Sequence, residues 1–138
     1  MAYWLFKSEP ETWGWDDQVK KGAPEEWSGV RNYQARNNMR EMKLGELGFF
    51  YHSVKEKAVV GIVKVAALAH PDSTTDDPRW ECVDIEAVRP FGRPVTLDEI
   101  KAHPELGKMV LVNNSRLSVQ PVSEKEWKII CGLGGVAP

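Results

Sequence analysis

The chain has 138 residues and a formal net charge of −2, and we expect residues 1–138 to form a single domain with one core. It has no stretch approaching the roughly 20 apolar residues of a membrane span and no segment like a secretory signal. These features predict a soluble, cytoplasmic monomer that does not contact membranes. The charge excludes a polycation that holds nucleic acid by bulk attraction, although residues 31–57 carry six basic against three acidic side chains.

The first half of the chain predicts a strand, a surface segment, a helix and a hairpin. Residues 3–7 are bulky and aromatic and predict a buried strand, whereas the acidic segment 9–26 predicts a loop with at most one helical turn. Residues 32–43 have helical spacing behind an asparagine suited to an N-cap. The apolar runs on either side of the KEK turn at 55–57 predict a hairpin, with a bulge at Gly61.

In the second half, residues 83–88 alternate between apolar and acidic side chains and predict a strand with one wet face. The TLDE sequence at 96–99 and the SEKE sequence at 123–126 fit the capping box and predict two short helices. Between them, MVLV at 109–112 and RLSVQPV at 116–122 predict short strands, and the GLGGVAP tail is expected to fray.

Five or six short strands with three short helices, and no repeat or βαβ rhythm, favour an α+β fold. We expect a mixed, mostly antiparallel sheet that curls like a barrel, with the helices at its rim.

The sequence shows no nucleophile paired with a base and no set of metal ligands. Cys82 and Cys131 have no partner at metal-ligand spacing and are expected to be reduced core thiols. His52 and Ser53 are neighbours on a strand and point to opposite faces, which favours a hydrogen-bonding role for the histidine. We therefore predict no catalytic residue, metal or cofactor.

Aromatic and polar residues cluster in two places, after the first strand at KSE and before the helix at WSGVRNYQARN. Trp27 offers an indole beside exposed backbone amides, and the helix start adds donors and a positive dipole end. A flat ligand with polar edges, such as a nucleobase, suits this combination. Arg36 and Arg40 share one side of the helix, as a solvated face or as a path for phosphates.

The chain has six tryptophans, and Trp27 is equally consistent with a core role. Trp13, Trp15 and Trp80 are expected to pack loops onto the sheet, and Trp127 to lie in the core.

The segments YWLFKSEP, GVRNYQARNNMR, FFYHS and RLSVQPVS together resemble the EVE domain family, in the family's order and from Tyr3 to about Trp127. The resemblance implies the PUA-like fold, a small sheet closing into a pseudobarrel, and similarity to YTH domains. It further implies a non-catalytic module that recognises a modified base in DNA or RNA. Methylated or hydroxymethylated cytosine and methylated adenine are the candidates.

The resemblance also implies ligand-binding residues, taken position by position. At the mouth of the pocket it places Lys7, Ser8 and Glu9. The stacking indole and the backbone contact fall on Trp27 and Ser28, and the motif that follows supplies Gly29, Val30, Arg31, Asn32, Tyr33 and Arg36 around the base or its phosphate. Tyr51, His52 and Ser53 are expected at the same rim, with Arg116, Leu117, Ser118 and Gln120 as a further wall.

The segment HPDSTTDDPRW, which would cover the pocket, is short and has no aromatic residue before Trp80. A base is therefore expected between Trp27 and an aliphatic or prolyl contact such as Pro71, without a complete aromatic cage. Two alternatives remain open. One is a hydrolase of modified nucleosides that resembles ASCH domains, with Lys7 and Glu9 as the catalytic pair. The other is a protein-interaction module that uses the acidic residues 72–86.

Overall fold

The computed structural model describes residues 2–54 and 56–138, organised around one six-stranded sheet. The strands are β1 (Tyr3–Ser8), β2 (Glu25–Glu26), β3 (Leu47–His52), β4 (Ala58–Pro71), β5 (Glu81–Thr96) and β6 (Val119–Val122). The helices are α1 (Pro10–Trp13), α2 (Trp15–Lys21), α3 (Tyr33–Glu41), α4 (Leu97–Ala102), α5 (Val110–Asn113) and α6 (Glu124–Leu133).

The strand order is β2-β5-β4-β3-β1-β6. Strands β1 and β3 are parallel, and the other neighbours are antiparallel. The α+β class and the mixed, mostly antiparallel sheet are therefore confirmed, but the sheet is open rather than closed. Within the described residues, no helix is long and apolar enough to cross a membrane.

A core cluster covers each face of the sheet, and β1 contributes side chains to both clusters. Trp4 and Phe6 belong to one core cluster, whereas Leu5 belongs to the other, because successive strand residues point to opposite faces. The first cluster contains α3 and Trp27. The second contains Trp127, which is fully buried as predicted.

Local capping signals predicted three helices correctly. The Asn32 side chain accepts the Ala35 N–H at the start of α3. Thr96 and Ser123 each form a capping box with a glutamate three residues later, at the starts of α4 and α6. These caps satisfy amides that have no partner within their helices.

Two predictions in the irregular segments are wrong. The acidic segment 9–26 contains α1 and α2, and α2 is stabilised because Trp15 and Gln18 are buried against the sheet. The MVLV run forms α5, where the Asn113 N–H donates to the Met109 carbonyl at 3.1 Å. A short apolar run carries no period that separates a strand from a buried helical turn.

The tail also differs from the prediction, since the Gly134 carbonyl accepts the backbone N–H of Gly92 at 2.8 Å. Chain residues 132–138 are thereby held against β5 rather than frayed. Val136 adds to this by packing against the second core cluster.

The predicted bulge lies where expected, since the pairing of β3 with β4 shifts register beside Gly61. Gly61 also lies under Trp15, and a Cβ built there would be 2.5 Å from the indole ring. The α2 helix can therefore approach β4 because residue 61 has no side chain. Of the predicted KEK turn, Lys55 lies outside the described residues.

Candidate functional site

A cavity of about 600 Å³ opens where β1 ends, between α1 and the segment that leads into α3. We call it the Trp27 cavity. It is lined by Lys7, Ser8, Glu9, Thr12, Trp13, Glu25, Glu26, Trp27, Ser28, Gly29, Val30, Arg31 and Ser118. Nine of these residues were predicted from the sequence, namely Lys7, Ser8, Glu9, Trp27, Ser28, Gly29, Val30, Arg31 and Ser118.

The indole of Trp27 is fixed by the core and also borders the cavity. It packs edge-to-face against Phe6 at 5.6 Å and against Phe50 at 5.8 Å, and the residue is 8% exposed. Its backbone N–H donates to the Val83 carbonyl at 2.9 Å. The two interpretations of Trp27 are thus compatible, because a rigidly held indole needs little ordering when a flat ligand stacks on it.

Trp13 supplies a second indole to the same cavity, from the end of α1. Its Nε1–H donates to the Gln18 side-chain oxygen at 2.9 Å, and its carbonyl accepts the Ser8 hydroxyl. The sequence prediction placed Trp13 among the loop-packing tryptophans and therefore missed it. Pro10, which occupies the first position of α1, is the local signal that favours a helix here.

The segment from Ser28 to Arg31 is held by Asp72, whose side chain is 1% exposed. One carboxylate oxygen accepts the Gly29 N–H at 2.8 Å and the Arg31 guanidinium at 3.1 Å. The other accepts the Thr74 N–H at 2.8 Å together with its hydroxyl. Burial raises the pKa of Asp72, but the hydrogen bonds from Thr74 and Gly29 outweigh it and lower the pKa to about 2.

Asp72 therefore joins one wall of the cavity to the loop formed by residues 72–80, which we call the 72–80 loop. Glu26 makes a second connection, because its carboxylate accepts the Ser73 hydroxyl at 2.6 Å and the Ser73 N–H at 3.2 Å. Both contacts link residues more than 40 positions apart in the chain, and sequence reasoning missed both.

Two cations border the cavity. The Lys7 ammonium donates to the Ser115 carbonyl at 2.9 Å, and burial followed by the charge of Lys57 lowers its pKa. The Arg31 guanidinium, bonded to Asp72, lies 5.4 Å from the centre of the Trp80 ring. A cation close to an indole face is attracted by the ring's quadrupole.

Tyr33 and Arg36 lie outside the cavity, on the surface of α3. Tyr33 is 49% exposed and stacks on Trp80 with ring centres 5.0 Å apart, while the Arg36 guanidinium lies 4.8 Å from the Tyr33 ring centre. We call Tyr33, Trp80 and Arg36 the aromatic platform. Asn32 does not line the cavity either, because its side chain caps α3.

Most of the other predicted rim residues point elsewhere. Tyr51, Leu117 and Gln120 are buried in the core, and burial together with Asp98 raises the pKa of Tyr51 to about 12. His52 accepts the Trp15 N–H at 3.0 Å, in keeping with the predicted hydrogen-bonding role. Ser53 donates its backbone N–H at 2.9 Å to the carbonyl of Ser8, which lines the cavity.

Pro71 and Arg116 are exposed and do not line the cavity. Pro71 ends β4, and it is the side chain of the next residue, Asp72, that reaches the cavity wall. The expected prolyl contact is therefore absent from the cavity lining, which contains Trp13 as well as Trp27.

The family model of the EVE domain matches residues 2–133, so the chain belongs to the EVE domain family, as its motifs indicated. Thymocyte nuclear protein 1 from Gallus gallus is 40% identical over 165 residues, which cover 96% of this chain and 68% of that protein.

Solved structures share the whole fold. The crystal structure of protein Atu2648 from Agrobacterium tumefaciens has a TM-score of 0.97 and 57% identity, and the match covers 99% of this chain and 95% of that one. The human THYN1 protein, crystallised in complex with DNA containing 5-methylcytosine, has a TM-score of 0.90 and 36% identity over the full length of both chains. These matches confirm the PUA-like fold.

The expected similarity to YTH domains is confirmed at the level of the fold. The YTH domain of the Zygosaccharomyces rouxii MRB1 protein, solved with N6-methyladenosine RNA, has a TM-score of 0.59 at 17% identity. The match covers 99% of this chain and 86% of that domain.

Proposed function

We propose that this chain is a non-catalytic nucleic-acid-binding module that accepts a flipped, modified base in the Trp27 cavity. The observation that carries the proposal is the pair of indoles, Trp13 and Trp27, in one cavity with polar groups and two cations. The human THYN1 protein, which shares this fold, was crystallised in complex with DNA that contains 5-methylcytosine. Methylated cytosine is therefore the first candidate for the base, and methylated adenine the second.

Stacking on an indole supplies the sequence-tolerant part of the affinity, about 1–3 kcal/mol per base. Specificity then depends on groups that meet the edge of the base. The Gly29 N–H is already bonded to Asp72, so we assign edge recognition to the hydroxyls of Ser28 and Ser118, which line the cavity. A base pulled out of its stack presents its full edge to such groups.

The nucleic-acid backbone is proposed to run past Lys7 and Arg31 towards the aromatic platform. Arg36 of the platform donates to the Arg79 carbonyl at 2.9 Å, which holds its guanidinium near the surface. Arg40 forms an ion pair with Glu81 and is the weaker candidate for a phosphate contact. Cations at these points position the strand without reading its sequence.

The low net charge fits this assignment. With few phosphate contacts, the affinity for an unmodified strand is weak, and the cavity supplies most of the discrimination. This is the balance required of a protein that finds one altered base among many ordinary ones.

The test compares affinities for matched oligonucleotides that carry cytosine or 5-methylcytosine at one position, as single strands and as duplexes. A second pair carries adenine or N6-methyladenine in RNA. Trp27→Ala should weaken binding of the modified strand by about 5- to 150-fold, the equivalent of about 1–3 kcal/mol of stacking. The ratio of modified to unmodified affinity should fall towards one.

Tyr33→Ala is the matched control, because it removes an aromatic ring outside the cavity. Tyr33→Ala should weaken binding of the modified and the unmodified strand equally. The ratio of the two affinities should therefore stay unchanged. Equal, weak affinity of the wild type for every strand would overturn the proposal. A change in the mass of the modified base after incubation would instead favour the hydrolase alternative.

A further inference from the structure

Three potential metal ligands meet at the edge of the sheet where β2, β5 and β4 lie side by side. One ligand atom from each of Glu26, His70 and Cys82 lies within 4.8 Å of the other two. Chain spacing gives no hint of this cluster, since the three residues are separated by 44 and 12 positions. The sequence analysis accordingly expected a simple core thiol at Cys82.

The strand register explains the meeting. His70 on β4 is paired with Cys82 on β5, and Glu26 on β2 is paired with Asp84 on β5. Residues two apart on a strand share a face, as do directly paired residues on neighbouring strands. The four side chains therefore project from the same side of the sheet.

Asp84 orients the histidine. Its carboxylate lies 2.8 Å from His70 Nε2, so this nitrogen carries a proton, and Nδ1 is the nitrogen left to bind a metal. Nδ1 lies 3.9 Å from the Glu26 carboxylate and 3.0 Å from the Pro71 carbonyl. A carboxylate behind a histidine is the usual second-layer arrangement at zinc sites, where it fixes the ring and makes the free nitrogen more basic.

We propose that Glu26, His70 and Cys82 bind one zinc ion, through a carboxylate oxygen, Nδ1 and the thiolate sulfur. Zinc favours this mixture of oxygen, nitrogen and sulfur ligands, which in a tetrahedral site lie about 3.4–3.7 Å apart. The 3.9 Å between Nδ1 and the Glu26 carboxylate is already close to this range, and a separation at the 4.8 Å limit of the cluster would have to shorten by about 1 Å. Binding releases the thiol proton of Cys82 and the Nδ1 proton of His70 to water, and Nδ1 exchanges its hydrogen bond to Pro71 for the metal.

The electrostatics favour a cation at this point. The carboxylates of Glu26 and Asp84 lie 3.9 Å and 2.8 Å from the two nitrogens of the His70 ring. Their negative charge attracts a divalent ion, whose own charge would stabilise the Cys82 thiolate. With a neutral imidazole, the charges of the Glu26 carboxylate and the Cys82 thiolate balance those of the zinc ion.

Glu26 also lines the Trp27 cavity, so the test uses the metal alone, without nucleic acid. Reduced, tag-free protein is titrated with Co²⁺, which reports a thiolate ligand by a charge-transfer band in the near ultraviolet, and Zn²⁺ is then added to displace it. The wild type should show the band and lose it on addition of Zn²⁺. Cys82→Ser should lack the band, whereas Cys131→Ser, which alters the other buried thiol, should retain it.

Two further variants keep the test decisive if Cys82→Ser fails to fold. His70→Gln changes a side chain that is 32% exposed and should weaken Co²⁺ binding strongly. Asp84→Asn, which changes the positioning residue, should weaken Zn²⁺ affinity by roughly 10- to 100-fold. Absence of the band in the wild type, or its persistence in either Cys82→Ser or His70→Gln, would overturn the proposal.

Discussion

Replacing Asp72 by asparagine tests how the Trp27 cavity is held together. The substitution keeps the shape of the side chain but turns one acceptor oxygen into an NH₂ donor. In one orientation this donor faces the Gly29 N–H and Arg31, and in the other it faces the Thr74 N–H. The first orientation therefore loses two hydrogen bonds, whereas the second loses the bond from the Thr74 N–H, since the Thr74 hydroxyl can also accept.

Hydrogen bonds to a charged group contribute about 1.5–3 kcal/mol each. The less costly orientation loses one such bond, and the three that remain weaken because the amide carries no charge. We expect Asp72→Asn to lower the free energy of unfolding by about 3 kcal/mol. The displaced Ser28 to Arg31 segment should also weaken binding of a modified oligonucleotide.

The assay is urea denaturation at neutral pH, in which the midpoint should fall while the slope stays constant. Asp77→Asn is the control, because it removes the same charge from the same loop and its ion-pair partner Arg79 is exposed. It should unfold close to the wild-type midpoint. If Asp72→Asn lies within about 0.5 kcal/mol of the wild type, the carboxylate does not hold the two segments together.

Two further substitutions test the packing and protonation around α2. Gly61→Ala should lower the free energy of unfolding by about 1–3 kcal/mol, because the new Cβ would meet the Trp15 ring. Gly107→Ala, where the added carbon meets open space, should unfold like the wild type, and equal midpoints would refute the close approach. Burial lowers the pKa of His52, although Glu56 and Asp16 oppose it, so its contribution to stability is full above about pH 6.5 and declines as the pH falls. His52→Gln keeps an acceptor for the Trp15 N–H but does not titrate. Its free energy of unfolding should therefore fall less than that of the wild type between about pH 7.5 and pH 5.5. Parallel curves of stability against pH would show that His52 does not cause the pH dependence.

The parts of the fold that sequence predicted well depend on neighbours in the chain. The caps at Asn32, Thr96 and Ser123 are local hydrogen bonds over three residues, and the sequence contains both partners of each. The MVLV run was mispredicted because its conformation depends on what it packs against, not on its own pattern.

The candidate site shows the same difference between features that are local in sequence and features that join distant segments. Two of its segments could be identified from the sequence, Lys7 to Glu9 and Trp27 to Arg31. Each is continuous in the chain and places polar residues next to aromatic ones. The contacts that shape the cavity, from Asp72 to Gly29 and from Glu26 to Ser73, join distant segments. They follow from strand order and register, which a single sequence does not specify.

The central claim is that a modified base enters the Trp27 cavity, and the six indole N–H signals of this chain test it directly. In a ¹⁵N-labelled sample titrated with an oligonucleotide containing one 5-methylcytosine, the indole signals of Trp13 and Trp27 should shift. Those of the buried Trp4 and Trp127 should stay in place, and the unmodified strand should cause much smaller shifts at the same concentration. If the two strands shift the same signals equally, or if Trp13 and Trp27 do not respond, the base does not bind in this cavity.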